Sequence, residues 1–141
     1  MKALYDTDFA AWALEQAARV RAGKPLDIEN VAEELESLGK QERRRLEAHL
    51  TVLLTHMLKW DYQALRRSRS WIASIKIQRR QARRVLEENP SLQPQLPEAV
   101  ADAYAIALIA AADETGMPEA NFPAVCPYAC EEIFNGEETA L

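Results

Sequence analysis

The sequence predicts an all-α protein that folds as a single-domain bundle of five or six helices over residues 1–141. Apolar residues recur at the helical period along most of the chain, and no strand pattern is found. The 141 residues, of which 48% are hydrophobic and 28% charged, fit one globular domain with its own core. Residues 117–141 are expected to be partly irregular and to carry a short final helix.

The first two helices are predicted from capping residues and apolar spacing. Asp6 suits the N-cap of the first helix, and Gly23 suits its end. Asp27 can cap the second helix, and Gly39 is expected to end or bend it. The spacing predicts that the second helix buries a stripe made of Ile28, Val31, Leu35 and Leu38.

Three further helices are predicted from the middle of the chain. The third covers about residues 40–60, the fourth runs from Ser68 or Ser70 to about Glu88, and the fifth ends at Gly116. Core-facing positions of the third helix are Leu46, Leu50, Leu53, Leu54, Met57 and Leu58. Those of the fourth are Trp71, Ile75, Gln78, Ala82, Val85 and Leu86. Those of the fifth are Val100, Ala103, Tyr104, Ala107, Leu108 and Ala111.

The final short helix is expected to have Cys126 as its N-cap and Pro127 at its first position. The three tryptophans, Trp12, Trp60 and Trp71, are expected in the core or beside it.

The charges are strongly separated along the chain. Residues 42–84 hold twelve Lys or Arg against three carboxylates, whereas residues 85–141 hold eleven carboxylates and no base. The net charge of −5 therefore hides a strong dipole. This pattern indicates where the protein can hold a charged partner, and it does not identify that partner.

The basic stretch 66–84 is the candidate binding site, because its bases are interleaved with Trp71 and no acid interrupts them. The candidate residues for binding a partner or an anion are Arg66, Arg67, Arg69, Lys76, Arg79, Arg80, Arg83 and Arg84. The favoured interpretation is that these bases pair internally with the acidic fifth helix and tail or form a solvated face. The alternatives are an acidic protein partner and, third, nucleic acid, which the acidic last third would repel.

A homodimer is also expected, since Ile106 and Ile109 lie among acids on the outer face of the fifth helix.

Two other residue patterns are candidate sites of chemistry. Glu42, His49 and His56 are spaced by seven on one helix face, but seven residues rise about 10.5 Å, too far for one ion to bridge. We therefore expect no metal, and we expect His49 and His56 to bond at helix–helix contacts. Cys126 and Cys130 have three residues between them, one too many for a dithiol redox motif, although a helix N-terminus could lower the pKa of Cys126.

Several segments together resemble one bacterial family. The residues are His56-Met57-Leu58-Lys59-Trp60-Asp61-Tyr62-Gln63, Arg67-Ser68-Arg69-Ser70-Trp71, Glu33-Glu34-Leu35-Glu36-Ser37-Leu38-Gly39 and Cys126-Pro127-Tyr128. This pattern is similar to the family called Domain of Unknown Function 29. The resemblance covers nearly the whole chain and implies an all-helical bacterial domain with no assigned reaction and no catalytic residue to transfer.

The leading functional hypothesis is a non-catalytic helical interaction module without a cofactor. A nucleic-acid-associated protein that uses residues 66–84 is the alternative, and an uncharacterised helical enzyme is third. No glycine-rich phosphate loop or nucleophile elbow supports an enzyme. Asp6 and Asp8 interrupt any signal peptide, and no uncharged stretch reaches the roughly 18 residues of a membrane span, so a cytoplasmic location without membrane contact is expected.

Overall fold

A computed structural model describes residues 3–136 of the chain. These residues form six α-helices and no strand, which confirms the predicted all-α class. The helices are α1 (Leu4–Thr7), α2 (Phe9–Ala22), α3 (Ile28–Tyr62), α4 (Arg69–Glu88), α5 (Leu96–Thr115) and α6 (Cys130–Asn135). Short 3₁₀ turns cover Ala64–Arg66, Pro90–Gln95 and Glu119–Asn121. Residues 137–141 of the predicted C-terminal segment lie outside the described range.

The chain divides into two compact units, with the boundary inside α3 between Gln41 and Glu42. This division shows where the internal contacts of the chain lie, and it does not show whether the two units fold together as one domain. The single-domain organisation of residues 1–141 therefore stays a prediction.

In the first unit, a short link of residues 23–27 joins α2 to the first part of α3, and we call this pair the hairpin. The prediction that Asp6 caps the first long helix was wrong, because Asp6 lies inside the one-turn helix α1. Asp8 caps α2 instead, and its side chain accepts a hydrogen bond from the Ala11 N–H at 3.0 Å. The predicted end of α2 is confirmed, since Gly23 adopts the left-handed conformation with φ of 66°.

Gly39 does not end a helix, so the predicted break between the second and third helices was wrong. The helix α3 runs without interruption for 35 residues, which is about 52 Å. A glycine inside a helix costs only about 1 kcal/mol relative to alanine, too little to separate two good helical segments.

The stripe predicted to be buried in the second helix is largely exposed. Ile28, Leu35 and Leu38 expose 70%, 63% and 55% of their surface, and only Val31 is half-buried. The reason is that the preceding part of the chain contacts another, more polar side of α3, where Tyr5 of α1 donates a hydrogen bond to Glu34. Trp12 is the one buried residue among residues 3–41.

The second unit contains a hydrophobic core built from α3, α4, α5 and α6. The predicted stripe of α3 is confirmed, because Leu46, Leu50, Leu53, Leu54 and Leu58 are fully buried. The predicted inner faces of α4 and α5 are also confirmed. Their buried residues are Ile75, Ala82, Val85, Val100, Ala103, Tyr104, Ala107 and Ala111, and their half-buried residues are Trp71, Gln78, Leu86 and Leu108. The prediction for the tryptophans holds, since Trp12 and Trp60 are buried and Trp71 packs against the core.

The final helix α6 begins at Cys130, so the predicted start at Cys126 was wrong. The chain before it is irregular, as predicted, and it is held in place by the buried Phe122 and by the Tyr128 hydroxyl, which donates to Asp61 at 2.5 Å. Burial and this hydrogen bond raise the pKa of Tyr128 well above its ordinary value. Pro127 therefore lies in the irregular link and not at the first position of the helix.

One segment in residues 3–136, Pro90–Thr115, is long and apolar enough to cross a membrane by length and composition alone. It contains α5, whose alanine face lies in the core. A core helix passes the same test, so this segment is weak evidence for a membrane span. The cytoplasmic location stays a prediction.

Candidate functional site

The helix α4 presents a basic surface opposite its core-facing side. The helix begins where the Ser68 hydroxyl accepts a hydrogen bond from the Trp71 N–H at 3.3 Å. At about 100° per residue, Arg69, Lys76 and Arg80 fall within about 40° of one another and extend over roughly 16 Å. We call these three residues the basic stripe.

Two of the eight candidate residues hold α6 in place. The Arg79 side chain is buried, with 6% of its surface exposed, and its Nε donates to the Ile133 carbonyl at 2.7 Å. The Arg83 guanidinium donates to the Phe134 carbonyl. Both carbonyls lie near the C-terminal end of α6, where cations complement the helix dipole. As a candidate for binding a partner, Arg79 is instead buried under α6, and no local pattern in the sequence indicates that α6 packs there.

Two more candidates make contacts close in sequence. Arg67 donates from Nε to the Trp60 carbonyl at 2.9 Å and lies 4.6 Å from the centre of the Trp60 ring. Arg84 pairs with Glu88 one helical turn later at 3.0 Å. Arg67 therefore helps to fix the turn after α3, and Arg84 makes an ion pair on an exposed helix surface.

The remaining candidates are Arg66 and the basic stripe. All four side chains are exposed, and none makes an ion pair or side-chain hydrogen bond with another residue in the described part of the chain. Two exposed apolar residues accompany them, Leu65 beside Arg66 and Ile77 beside Lys76. Sequence reasoning missed both apolar residues; Ile77 could have been found from its position on the outer face of α4.

The acids of α5 pair with bases of α3 and not with those of α4. Arg43 lies 3.2 Å from Asp102 and 3.7 Å from Glu98, and it also pairs with Glu47 at 2.9 Å. The hydrogen bond to Glu47, together with these carboxylates, raises the pKa of Arg43.

Lys59 is a second base of α3 that pairs with a carboxylate of α5. Its Nζ lies 3.8 Å from Glu114 and 4.8 Å from the centre of the Trp71 ring. Within residues 3–136, Arg66, Arg69, Lys76 and Arg80 do not pair with the fifth helix; they form an exposed face, which is the other half of the favoured interpretation. The bases of α3 lie closer to α5 and occupy its carboxylates.

The two histidines have separate partners. His49 Nδ1 lies 2.8 Å from Gln78 Oε1 of α4, which is the predicted helix–helix contact. His56 Nδ1 lies 2.8 Å from the Val52 carbonyl of its own helix, so the same prediction was wrong for His56. Glu42 pairs with Arg45. No group of three or more metal-binding side chains occurs among the described residues.

Cys126 is a half-buried thiol that donates to the Tyr128 carbonyl at a sulfur–oxygen distance of 3.6 Å. Burial raises the pKa of Cys126, so the suggested lowering by a helix N-terminus was wrong. Cys126 lies four residues before α6 begins at Cys130, and both cysteines are free.

A cavity of about 360 Å³ lies between α4, the turn before α5 and α6. Its lining includes Cys130, Arg83 and Glu131, whereas neither histidine lines it. This arrangement does not pair the thiol with an imidazole base, so it gives the enzyme hypothesis no support.

Comparison with known protein families shows what the chain is similar to. The family model described as "Domain of unknown function DUF29" matches residues 4–137. No curated protein and no solved structure matches the chain.

Proposed function

The chain belongs to the family of the domain of unknown function DUF29, which assigns no activity, and we propose that it is a non-catalytic interaction module that binds an acidic protein segment. The observation that carries this proposal is the basic stripe. Three exposed cations lie in line on α4 and have no partner in the part of the chain that the structure describes.

The spacing of the stripe suits a helical partner. Its members are separated by seven and four residues, so an acidic helix with carboxylates over about three turns can meet all three cations. Opposite charges arranged in this way steer association and fix the register of the partner more than they add affinity.

A protein segment suits this surface better than nucleic acid. Ile77 and Leu65 are exposed beside the cations and offer apolar contacts to a partner side chain. Residues 85–141 carry eleven carboxylates and no base, and this acidic third would repel a polyanionic backbone. Nucleic acid is accordingly an outcome of the test and not the proposal.

The test compares two triple variants of the full chain. Arg69→Glu, Lys76→Glu and Arg80→Glu together reverse the stripe, whereas Arg69→Lys, Lys76→Arg and Arg80→Lys together keep its charge. Each protein is used to capture partners from native cell extract at about 50 and 300 mM salt, and the acidic segment of any recovered protein is then synthesised and titrated directly. We expect micromolar binding that the reversal weakens at least tenfold and the charge-preserving variant changes less than threefold.

The charge reversal should leave the protein folded. Each of the three side chains is exposed, so each reversal should change the free energy of unfolding by no more than about 0.5 kcal/mol. Recovery of nuclease-sensitive material in place of a protein, with a log–log salt slope near −3 for three phosphates, would establish the nucleic-acid alternative. Equal capture by both variants would remove the stripe from consideration.

We also expect purified protein to carry no stoichiometric metal, because the histidine spacing does not chelate one. Elemental analysis checks this expectation. About one zinc or iron per chain, lost on His56→Ala, would contradict it.

A further inference from the structure

The helix α4 presents one exposed surface that includes the basic stripe. Between Arg69 and Arg84, six exposed residues fall within about 100° of one another at about 100° per residue. We call them the α4 surface: Arg69, Ala73, Lys76, Ile77, Arg80 and Arg84. This surface therefore combines four cations with an isoleucine that is 55% exposed.

The helix α5 presents an exposed surface with the same spacing and the opposite charge. We call its members the α5 surface: Glu98, Asp102, Ala105, Ile106, Ile109 and Asp113. From the first member to the last, both surfaces advance by four, three, one, three and four residues. Carboxylates and isoleucines thus share one side of α5, where Ile106 and Ile109 are 58% and 54% exposed.

Both surfaces point away from the core. The core-facing sides are marked by the buried residues Ile75, Ala82 and Val85 on α4, and Ala103, Ala107 and Ala111 on α5. By the same geometry, the centre of each exposed surface lies roughly 150° or more from the core-facing side of its own helix. A group that covers either surface therefore comes from outside residues 3–136.

The charges of the two surfaces match when the helices are antiparallel. The arginines of the α4 surface are separated by eleven and four residues, and the carboxylates of the α5 surface by four and eleven. In this register every arginine meets a carboxylate, the pairs being Arg69 with Asp113, Arg80 with Asp102, and Arg84 with Glu98. In the parallel register Arg80 would meet Ile109, so only two ion pairs would form. The helix dipoles also favour the antiparallel arrangement.

The apolar residues fit in the same register. Ala73 lies level with Ile109, so its small side chain leaves room for the isoleucine. Ile77 lies within one residue of the level of Ile106, and the alkyl stem of Lys76 lies at that level as well. The contact therefore has an apolar centre with ion pairs on either side, as specific interfaces do.

We propose that the α4 surface of one copy of this chain binds the α5 surface of a second copy in this antiparallel register. Each copy carries both surfaces, so two copies make the contact twice around a two-fold axis, with α4 of each on α5 of the other. This inference rests on the proposed function, because it identifies α5 of a second copy as the acidic segment that the basic stripe binds.

Ion pairs within one chain leave this contact open. Glu98 and Asp102 share the single guanidinium of Arg43, at 3.7 and 3.2 Å, and their side chains remain 71% and 57% exposed. Carboxylate oxygens accept more than one hydrogen bond, so an arginine of the second copy can bind each of them as well. The pair of Arg84 with Glu88 is also exposed, and such pairs contribute little to stability.

The size of the contact sets the expected affinity. The matched segments run from Arg69 to Arg84 and from Glu98 to Asp113, so one contact is about 24 Å long and about 12 Å wide. Two such contacts bury on the order of 1,200 Å² in total, at the lower end of the range for specific interfaces. We therefore expect a dissociation constant in the micromolar range that rises with salt.

The first experiment compares two double variants of the full chain. Ile106→Gln with Ile109→Gln alters the apolar centre of the α5 surface. Leu35→Gln with Leu38→Gln is the matched control, because these side chains of α3 are similarly exposed, at 63% and 55%, and belong to neither surface. Sedimentation equilibrium between about 5 and 500 μM at about 50 mM salt measures the dissociation constant of each protein, and circular dichroism verifies helical content.

We expect the wild type to approach twice the 15.9 kDa mass of one chain at the highest concentration. The α5 variant should raise the dissociation constant at least tenfold, and the α3 control should change it less than twofold. A wild type that stays monomeric at 500 μM overturns the proposal. Equal weakening by both variants, or growth beyond a dimer, overturns the two-fold contact.

The second experiment tests the register with single charge reversals. The variants are Arg69→Glu, Asp113→Lys and Glu98→Lys. Arg69 and Asp113 have no oppositely charged partner in the described part of the chain, so their reversal breaks no ion pair there. Each variant alone should dimerise at least threefold more weakly than the wild type, because like charges then meet in both contacts.

Mixtures of these variants distinguish the two registers. An equimolar mixture of Arg69→Glu with Asp113→Lys should recover wild-type affinity within twofold, since the two altered side chains meet as opposite charges in the mixed dimer. A mixture of Arg69→Glu with Glu98→Lys should show no recovery, because the antiparallel register keeps these positions apart. Recovery in the second mixture instead of the first, or in neither, overturns the proposal.

The results also separate this inference from the proposed function. Dimerisation that triple reversal of the basic stripe leaves unchanged overturns the inference. A wild type that stays monomeric, together with stripe-dependent binding of another acidic protein, overturns the inference and leaves the proposed function standing. If neither dimerisation nor binding of an acidic segment depends on the stripe, both proposals fail.

Discussion

At the scale of single residues, Asp27 joins the two helices of the hairpin. Its carboxylate accepts hydrogen bonds from the Asn30 side chain and the Trp12 indole, both at 2.9 Å. Its backbone N–H donates to the Gln16 side chain at 2.8 Å. The bonds from Asn30 and then Trp12 lower the pKa of Asp27, because they stabilise the charged carboxylate.

The pH dependence of the hairpin follows from this lowered pKa. A carboxyl group whose pKa is lower in the folded state stabilises the fold above its unfolded pKa, near 3.8, and loses that effect as pH falls through the folded value. We expect the Trp12 indole N–H signal in NMR spectra to keep its bonded shift at pH 7 and to move toward the free shift below about pH 4. Asp27→Asn should show the weakened bond already at pH 7, with little further change on acidification.

Asp6→Asn is the control for this experiment, because Asp6 is exposed and its side chain has no hydrogen bond to another described residue. It should keep the wild-type profile of the Trp12 signal. An unchanged profile in Asp27→Asn would show that the carboxylate charge does not support the contact.

At the scale of elements, two glycines provide opposite tests of helix geometry. Gly39 lies inside α3, and a Cβ added there meets no atom within 4 Å. Gly39→Ala should therefore raise the free energy of unfolding of the hairpin by about 0.5–1 kcal/mol. Gly23 has equally open surroundings but a φ of 66°, so Gly23→Ala should lower it by about 1 kcal/mol.

Amide hydrogen exchange in residues 9–38 measures both effects in the element that carries them. Both variants replace glycine with alanine. An effect on hydration or expression that is common to both variants therefore cannot change the free energy of unfolding in opposite directions. Destabilisation by Gly39→Ala would indicate that α3 is bent or interrupted at Gly39 in solution.

At the scale of the whole molecule, the apolar side chains are divided between a packed core and open helix surfaces. Leu54 is fully buried in the second unit, whereas Leu14 on α2 is 75% exposed. Leu54→Ala should lower the free energy of unfolding by about 2–5 kcal/mol through lost contacts and a cavity. Leu14→Ala should change it by no more than about 0.5 kcal/mol.

Urea denaturation followed by circular dichroism makes this comparison, with the two variants measured at one low protein concentration so that association does not contribute. Similar midpoints for the two variants would contradict the placement of the core. Both variants remove the same atoms from a leucine in a helix, so the difference between their free energies of unfolding reports the difference in burial.

The sequence by itself determined the helical class, the ends of α4 and α5 and the core stripe that begins at Leu46. These features depend on local rules: apolar spacing at 3.6 residues, Ser68 as a cap and Gly116 as a left-handed end. The family pattern was likewise visible in the sequence, and the match over residues 4–137 confirms it.

Only the tertiary structure decided which of these stripes is buried and which bases are available. Ile28 and Leu46 both belong to predicted apolar stripes of α3, yet the first is exposed and the second is fully buried, because burial depends on which element packs there. Arg79 and Arg80 are neighbours in sequence, but the carbonyls of α6 occupy Arg79 and leave Arg80 exposed. Periodicity describes the faces of one helix, whereas packing partners come from segments distant in sequence, and no local pattern specifies them.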